Sequence, residues 1–345
     1  MRVRYWWAIG LVCTLVVVVL WQQYRTASAG PSFTFRGETM GTTYTITVHG
    51  APADALAALP AEIEARLRAI NKSMSTWDPA SEISRINEMP AGQWVTVSED
   101  FHLVLNAALS LSEATEGAFD VTVGPLVNLW GFGPMARDEP PDAAAIAAAQ
   151  RRIGYRNLVV DGRRLSKRVK GMYLDFSAIA KGYGGDALAE ILRRRGVGNY
   201  LVEIGGEVTV AGRAPGGEPW AIGVERPEEN VARGAAPHGV VHLTRGALAT
   251  SGSYRRFKRR QAEKSHHIID PRTGFSTNSS LVSVTVFAPD CMTADGIATA
   301  LMVMGTKAGL RWVETRPGVE ALFLEATSEG GFAQQLSPGF RKLVQ

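Results

Sequence analysis

The sequence predicts an α+β fold, a single large domain of antiparallel strands and helices. Strand-like runs dominate the chain from Tyr200 onward, and two more, Phe33–Phe35 and Tyr44–Val48, lie near its start. Long helical patterns interrupt these runs without the regular strand–helix alternation of a doubly wound sheet. There is also no Walker A motif, and no G-x-G-x-x-G motif follows a strand. A dinucleotide would therefore have to bind without the Rossmann loop.

Five stretches carry apolar residues at helical spacing, and glycines mark the ends of several of them. Gly117 follows the second stretch, Gly154 the third and Gly196 the fourth, as expected for helix C-termini. The loop Ser73–Pro79 follows the first stretch, and the linker Pro134–Pro141 precedes the third. The predicted helices are Ala53–Ile70, Ser98–Thr115, Ala143–Ile153, Ile179–Arg195 and Met292–Met304.

The later strands are predicted from apolar runs that are bounded by turn residues. Glu203-Ile-Gly-Gly206 predicts a tight bend, because glycine tolerates backbone conformations that other residues avoid. The sequence does not decide whether a ligand or another backbone segment approaches this bend. The predicted strands are Tyr200–Val210, Trp220–Glu225, Val240–Leu243, Leu281–Ala288 and Val319–Leu324.

Composition and charge are those of an ordinary globular protein. Of the 345 residues, 46% are hydrophobic and 20% charged, which allows a large core. The formal net charge is +4, but three arginines lie in an N-terminal segment without acids, so the remaining chain is nearly neutral. Nothing in this balance indicates a nucleic-acid partner. The basic run from Arg255 to Arg260 is interpreted as a solvated loop, with binding of a phosphate or a partner protein as alternatives.

Residues 1–29 are predicted to be a signal peptide or an N-terminal membrane anchor. Arg2 and Arg4 precede the apolar run Tyr5–Trp21, which is long for a signal peptide and short for a spanning helix. Ala27-Ser-Ala29 offers a cleavage site. In either case the positive N-terminal charges predict that residues 30–345 are exported to the periplasmic face of the inner membrane. Cys291 then has no partner for a disulfide within the exported domain.

Two segments carry residues suited to metal and phosphate chemistry. In Cys291–Met304, Thr293 is the expected N-cap, and Asp295 and Thr299 lie four residues apart on one helix face. A carboxylate and a hydroxyl suit an oxygen-preferring cation such as Mg²⁺. The alternative is a capping carboxylate beside a buried threonine that bonds back to its own helix.

The second segment, Leu174–Tyr183, also opens a helix. Ser177 is the expected cap, Asp175 precedes it, and Lys181 follows one turn later. Free N–H groups at a helix N-terminus, together with a cation, favour phosphate binding. Asp175 as a turn acid and Lys181 as a surface lysine are the alternatives.

Six ordered segments together resemble the FAD:protein FMN transferase (ApbE) family. The resemblance extends from about Thr34 to about Gly305, and six motifs in the same order are far more specific than any single one. Besides the two segments above, they are Gly37–Tyr44, Ser75–Pro79, Gly117–Pro125 and His267–Pro271.

The resemblance implies a T-fold-like body, Mg²⁺ as cofactor and FAD as substrate. It implies metal ligands at Asp295 and Thr299 and at the backbone carbonyl of Ala178. Some relatives carry another acid at Ala298, so the metal affinity is expected to be lower here. The positions that match FAD contacts in the family are Met40, Trp77, Ala118, Phe119, Asp120, Asp175, Lys181 and Ile269. Without the resemblance, Met40 and Trp77 could equally be apolar side chains that pack into the core.

The implied reaction is Mg²⁺-dependent transfer of FMN from FAD to a threonine or serine hydroxyl of a target protein, with release of AMP. His267, or a nearby carboxylate such as Asp175, is the candidate proton acceptor, although a single histidine is often structural. The implied targets are flavin-accepting subunits of membrane electron-transfer complexes. An Mg²⁺-dependent FAD pyrophosphatase and a non-catalytic flavin-binding protein are the alternatives.

Overall fold

The computed structural model describes residues 30–344, except for 136, 138, 229–235, 255–256, 261–262 and 278. Its central element is an eight-stranded antiparallel sheet with the strand order β1-β2-β6-β7-β10-β13-β14-β15. Smaller sheets are formed by β3-β5-β4, by β8-β9 and by β11-β12. The strands are β1 (Ser32–Thr39), β2 (Thr42–His49), β3 (Trp94–Thr96), β4 (Leu158–Asp161), β5 (Arg164–Lys167), β6 (Asn199–Ile204), β7 (Glu207–Ala211), β8 (Trp220–Val224), β9 (Gly239–Leu243), β10 (Arg245–Gly252), β11 (Phe257–Arg260), β12 (Glu263–His266), β13 (Leu281–Ala288), β14 (Glu320–Ala326) and β15 (Phe332–Leu336).

The helices confirm the α+β prediction, because they do not alternate regularly with the strands. The longest, α1, follows the β1–β2 hairpin, and a second group precedes β6. The helices are α1 (Ala53–Met74), α2 (Glu82–Glu88), α3 (Glu99–Ala114), α4 (Gly124–Leu129), α5 (Ala143–Gln150), α6 (Ala180–Arg194), α7 (Cys291–Met304), α8 (Thr306–Glu314) and α9 (Phe340–Leu343).

Helices α1, α6 and α7 cover one face of the large sheet. Ile63 of α1 and Leu188 of α6 belong to the same core cluster as Ile46 of β2. Leu301 of α7 belongs to a second cluster together with Val286 of β13. All of these side chains are almost fully buried. Burying a side chain of this size contributes about 1.5–3 kcal/mol, so the apolar faces predicted from periodicity hold these helices on the sheet.

The strand predicted as Tyr200–Val210 is instead two strands, β6 and β7. The chain reverses at Gly205 and Gly206, which have positive φ angles of 60° and 101°. The amide of Gly206 donates a 2.7 Å hydrogen bond to the Glu203 carboxylate. The predicted bend is therefore a hairpin turn, and it places the start of β7 opposite the end of β6.

Two predicted helix caps are wrong. Asp290, not Thr293, caps α7, and the Thr293 amide donates to the Asp290 carboxylate at 2.8 Å. Ser177 does not cap α6, which begins only at Ala180 and has no side-chain cap from the residue before it. Both differences concern a few residues at a helix end, where several small polar residues compete for the capping position.

The N-terminal prediction for residues 1–29 lies outside the described residues, and the domain boundary at residue 30 remains a prediction. Among the residues that the structure does describe, no helix combines the length and hydropathy needed to cross a membrane.

Candidate functional site

The site is built where the first turn of α6 meets the first turns of α7. The helices approach so closely at Gly182 that a Cβ atom there would lie 2.3 Å from the backbone oxygen of Cys291. The Gly182 amide lies in the first turn of α6 and has no partner within the helix. It donates instead to Oδ2 of the buried Asp295, at 3.0 Å. Asp295 therefore caps α6 from the neighbouring helix.

Lys181 supplies the positive charge of the site. Its Nζ atom lies 3.6 Å from Oδ1 of Asp295 and 3.3 Å from Oε1 of Glu207 on β7. Burial by itself would lower the pKa of Lys181, but the two carboxylates outweigh it and hold that pKa above its usual value. The lysine is therefore a stable cation beside two buried acids.

Asp295, Thr299 and Ala178 offer only oxygen donors. Thr299 lies one turn beyond Asp295 on α7, and its hydroxyl shares a 3.0 Å hydrogen bond with the hydroxyl of Ser251 on β10. Ala178 belongs to the turn immediately before α6. No group of three or more His, Cys, Asp or Glu side chains suited to a metal is found in the described residues. One carboxylate with neutral oxygens nevertheless fits Mg²⁺, which usually takes its remaining ligands from water and substrate phosphates.

Asp175 lies on a segment that pairs with the loop after α3. Its amide donates a 2.8 Å hydrogen bond to the carbonyl of Val121. Its carboxylate accepts hydrogen bonds from the amide and the hydroxyl of Ser177, at 2.8 and 2.5 Å. Asp175 thus shapes the turn that leads to Ala178 and Lys181.

Ala118, Phe119 and Asp120 form the loop that Asp175 adjoins. The side chains of Ala118 and Phe119 are buried, and Phe119 belongs to the core around α3. The Asp120 carboxylate accepts bonds from Thr122 and from the amide of Tyr155. Burial raises the pKa of Asp120.

Met40 lies in the two-residue turn between β1 and β2. It adopts a positive φ of 51°, which is unusual for a residue other than glycine, and Gly41 follows with 70°. Its side chain reaches α6, because a Cβ atom on Gly184 would lie 3.0 Å from Cε of Met40. Met40 therefore lies beside the helix that carries Lys181.

Trp77 follows the end of α1, and its side chain is exposed. Helix α1 approaches the β1–β2 hairpin at the same end, where the Asn71 side chain donates to the Thr39 hydroxyl at 3.0 Å. An exposed indole after the end of α1 can pack against a planar ligand.

His267 and Ile269 follow β12. The His267 ring is half-buried and packs edge-on against Phe132, with ring centroids 6.4 Å apart. Ile269 is buried against Leu126 and Trp130. Any contact of Ile269 with a cofactor would therefore involve its backbone. The contacts described for these two residues include α4 and the loop after it, and Ile269 also pairs with Ser276.

Comparison with known proteins decides the family. A family model described as the ApbE family matches residues 40–323. The FAD:protein FMN transferase of Vibrio cholerae is 41% identical over 310 residues, covering 89% of this chain and 91% of that protein. The one of Haemophilus influenzae is 39% identical over 317 residues, covering 90% of each. This chain belongs to the ApbE family of FAD:protein FMN transferases.

Solved structures agree with this assignment. The flavin transferase ApbE of Vibrio cholerae superimposes with a TM-score of 0.81 at 40% identity, covering 91% of this chain and 99% of that one. The apo flavinyl transferase ApbE of Pseudomonas stutzeri has a TM-score of 0.81 at 38% identity, covering 91% and 96%. The predictions of the family, the α+β fold and the flavin-transferase enzyme class are thus confirmed.

The sequence interpretation missed two residues that the ApbE fold brings to the site. Glu207 and Ser251 come from β7 and β10, far from α6 and α7 in sequence. The one available signal for Glu207 was an acid beside the glycine turn at the start of an otherwise apolar strand. Nothing in the sequence distinguishes Ser251 from the neighbouring hydroxyl residues.

Proposed function

We propose that this protein transfers FMN from FAD to a threonine or serine hydroxyl of a target protein and releases AMP. The observation that carries the proposal is the group of Lys181, Asp295 and Thr299 at the contact of two helix N-termini. This group suits a pyrophosphate, because it combines a cation and oxygen donors for a metal with two helix N-termini, whose dipoles favour negative charge. The names of the related enzymes agree with this substrate.

The reaction is a phosphoryl transfer. The acceptor hydroxyl oxygen attacks the phosphorus on the FMN side of the pyrophosphate, and the bond between that phosphorus and the bridging oxygen breaks. AMP leaves with the bridging oxygen, and the hydroxyl proton passes to a base. Reactions of this type are accelerated mainly by positioning and by neutralisation of charge.

Lys181 serves this reaction by placing a permanent positive charge beside the first turn of α6. Mg²⁺ held by Asp295, Thr299 and the Ala178 carbonyl would supply further charge neutralisation on the pyrophosphate. Asp295 also holds the Gly182 amide, and this hydrogen bond keeps a fixed distance between the Asp295 carboxylate and the N-terminus of α6.

His267 is the proposed proton acceptor, because an imidazole is neutral and basic near physiological pH. Asp175 is the second candidate. One oxygen of its carboxylate already accepts two hydrogen bonds from Ser177, so fewer of its lone pairs remain to take a proton.

Hydrolysis of FAD to FMN and AMP is the second candidate function. It would use the same residues, with water in place of the acceptor hydroxyl. The two functions are separated by incubating the purified protein with FAD, Mg²⁺ and a candidate acceptor and measuring the intact mass of the acceptor. A gain of one FMN unit supports transfer, whereas AMP and free FMN with an unmodified acceptor support hydrolysis. An acceptor variant without the target threonine or serine is the matched control.

We also propose that the protein acts on the periplasmic face of the inner membrane, held there or exported by residues 1–29. The basic N-terminus followed by an apolar run supports this location. The proposed acceptors are flavin-carrying subunits of membrane electron-transfer complexes that face the same compartment.

A further inference from the structure

Lys181 is held loosely between three oxygen atoms. Its Nζ atom lies 3.3 Å from Glu207 Oε1, 3.5 Å from the Ser177 carbonyl and 3.6 Å from Asp295 Oδ1. Charge-assisted hydrogen bonds between an ammonium and a carboxylate are normally about 2.7–2.9 Å long. The ammonium therefore lies between these three oxygens without a short bond to any of them.

The two acids beside Lys181, Asp295 and Glu207, come from different elements. Asp295 uses Oδ2 to accept the Gly182 amide, so Oδ1 is the oxygen that faces Lys181. Glu207 is only 3% exposed and comes from the sheet rather than from a helix. One ammonium thus faces two buried carboxylates that approach it from separate elements.

A divalent cation at Asp295 would compete with this ammonium. Two cations near one carboxylate repel each other strongly in a buried site. Without Glu207, the Lys181 ammonium would have two alternatives when the metal binds. It would stay beside Asp295 and be repelled by the metal, or it would move away and lose its negatively charged partner; both are unfavourable. Because Glu207 already lies 3.3 Å from the ammonium, a small shift of Lys181 would complete a short bond to it.

We infer that Glu207 is a positioning residue, which retains the Lys181 ammonium when a divalent cation binds Asp295. Lys181 is then the cation beside Asp295 before a metal binds, and its movement toward Glu207 accompanies metal binding. This inference rests on the proposed metal-dependent function and adds a residue, Glu207, to it.

The test is calorimetric titration of the full-length protein with Mg²⁺ alone, in the absence of FAD and at fixed ionic strength. Lys181→Met removes the competing charge and keeps a side chain of similar length. We expect it to bind Mg²⁺ about tenfold more tightly than the parent. The same variant should bind FAD more weakly, because it lacks the cation beside the pyrophosphate. Opposite shifts for the two ligands are not expected from a merely structural lysine.

Glu207→Gln keeps the size and one acceptor oxygen but removes the charge. We expect it to weaken Mg²⁺ binding, and to do so by about three- to tenfold more in the parent than in the Lys181→Met background. The difference between the losses of Mg²⁺ affinity in the two backgrounds is the part that acts through Lys181. Glu207→Asp keeps the charge on a shorter side chain and should lose less affinity than Glu207→Gln. If Glu207→Gln does not fold, this smaller loss is compared in the two backgrounds instead.

Two outcomes contradict the inference. One is Mg²⁺ binding by Lys181→Met that is no tighter than in the parent, including the absence of binding in both. The other is an equal loss for Glu207→Gln in both backgrounds, since Glu207 would then act through its own charge alone. Either outcome leaves FMN transfer itself untouched, because the acceptor mass assay on the parent tests that function independently.

Discussion

At the scale of single residues, Asp295 has two tasks because its two oxygens face different groups. Oδ2 accepts the Gly182 amide and joins two helices, while Oδ1 faces Lys181 and is the proposed metal ligand. The alternatives considered from the sequence, a capping carboxylate or a metal ligand, are thus compatible in this fold. A substitution must separate the two tasks before it can test either one.

Asp295→Asn separates them, because the amide oxygen can still accept from Gly182 while the charge is lost. We expect FAD cleavage to fall by roughly a hundredfold or more in this variant, and in Asp295→Ala, with an intact fold. Thr299→Ala should lower the rate less, since a hydroxyl carries no charge. Single-turnover release of AMP measures the rate, and Asp161→Ala, an exposed acid on β4, is the control. Parental rates for Asp295→Asn in saturating Mg²⁺ would show that the metal assignment is wrong.

Trp77 should contribute to FAD binding rather than to the chemical step. Its indole is 62% exposed, and covering such a ring with a cofactor is worth about 1–3 kcal/mol. Trp77→Ala is therefore expected to weaken FAD binding about ten- to a hundredfold. Trp94→Ala is the matched control, because Trp94 is also exposed but stacks on Arg164 in the small sheet. Equal FAD affinities of the two variants in a fluorescence titration would contradict the assignment.

His267 should contribute to the chemical step rather than to binding. We expect His267→Ala to lower the rate of FMN transfer by roughly a hundredfold or more with near-normal FAD affinity, if the imidazole accepts the proton. The measurement is single-turnover AMP release beside an FAD titration, with His238→Ala as the control histidine. An unchanged rate would make His267 a structural residue and Asp175 the next candidate base.

At the scale of elements, the site depends on how closely α6 and α7 approach each other. Glycine at position 182 allows this approach, and Asp186 reinforces it from the next turn of α6. The Asp186 carboxylate accepts the amides of Cys291 and Met292 at 2.9 and 2.8 Å, so α6 also caps α7. Each helix thus caps the other, and the reciprocal contact places Lys181 beside Asp295.

Gly182→Ala tests this approach, and Gly185→Ala is its matched control three residues later. A Cβ atom on Gly182 would lie 2.3 Å from the Cys291 oxygen, whereas one on Gly185 would lie 3.6 Å from the Cys291 sulfur. We expect Gly182→Ala to lower the free energy of unfolding by about 1–3 kcal/mol and to reduce activity. Gly185→Ala should leave stability unchanged or raise it by up to about 1 kcal/mol, since alanine favours helices. Urea unfolding of both variants gives the comparison, and equal stabilities would contradict the proposed close contact.

At the scale of the whole molecule, one antiparallel sheet joins distant parts of the chain around the site. Met40, Glu207 and Ser251 belong to three separate strand pairs, and the sheet brings each of them toward α6 or α7. Strand β1 lies at the edge of this sheet and directly follows the basic and apolar N-terminal segment. This edge position is compatible with the proposed anchoring of that segment.

At this scale we predict that residues 30–345 are exported from the cytoplasm. A reporter fused after Gln345 that is active only outside the cytoplasm should be active in the full-length protein. The same fusion without residues 1–29 is the control and should be inactive, although expressed at a similar level. Activity of a cytoplasmic reporter on the full-length protein would contradict the proposed location.

The sequence by itself determined the fold class, most of the helices and the family. Helices such as α6 and α7 are readable because their apolar periodicity and terminal glycines are local features. Asp295, Thr299 and Lys181 were selected as candidates for the same reason, since each lies within one short motif. The Tyr200–Val210 run was predicted as one strand with a bend at Glu203–Gly206, because period-2 apolar spacing continues through the glycine turn that separates β6 from β7.

Only the tertiary structure decided which groups surround these motif residues. Glu207 and Ser251 reach the site through strand pairing across the sheet, and sequence spacing carries no information on such long-range contacts. The cap of α6 was missed for a related reason. The Asp295 carboxylate satisfies this helix end from the neighbouring helix, whereas sequence rules for caps consider only adjacent residues. The positive charge of Lys181 is held by the two acids beside it, and the burial of those acids is a property of the folded molecule.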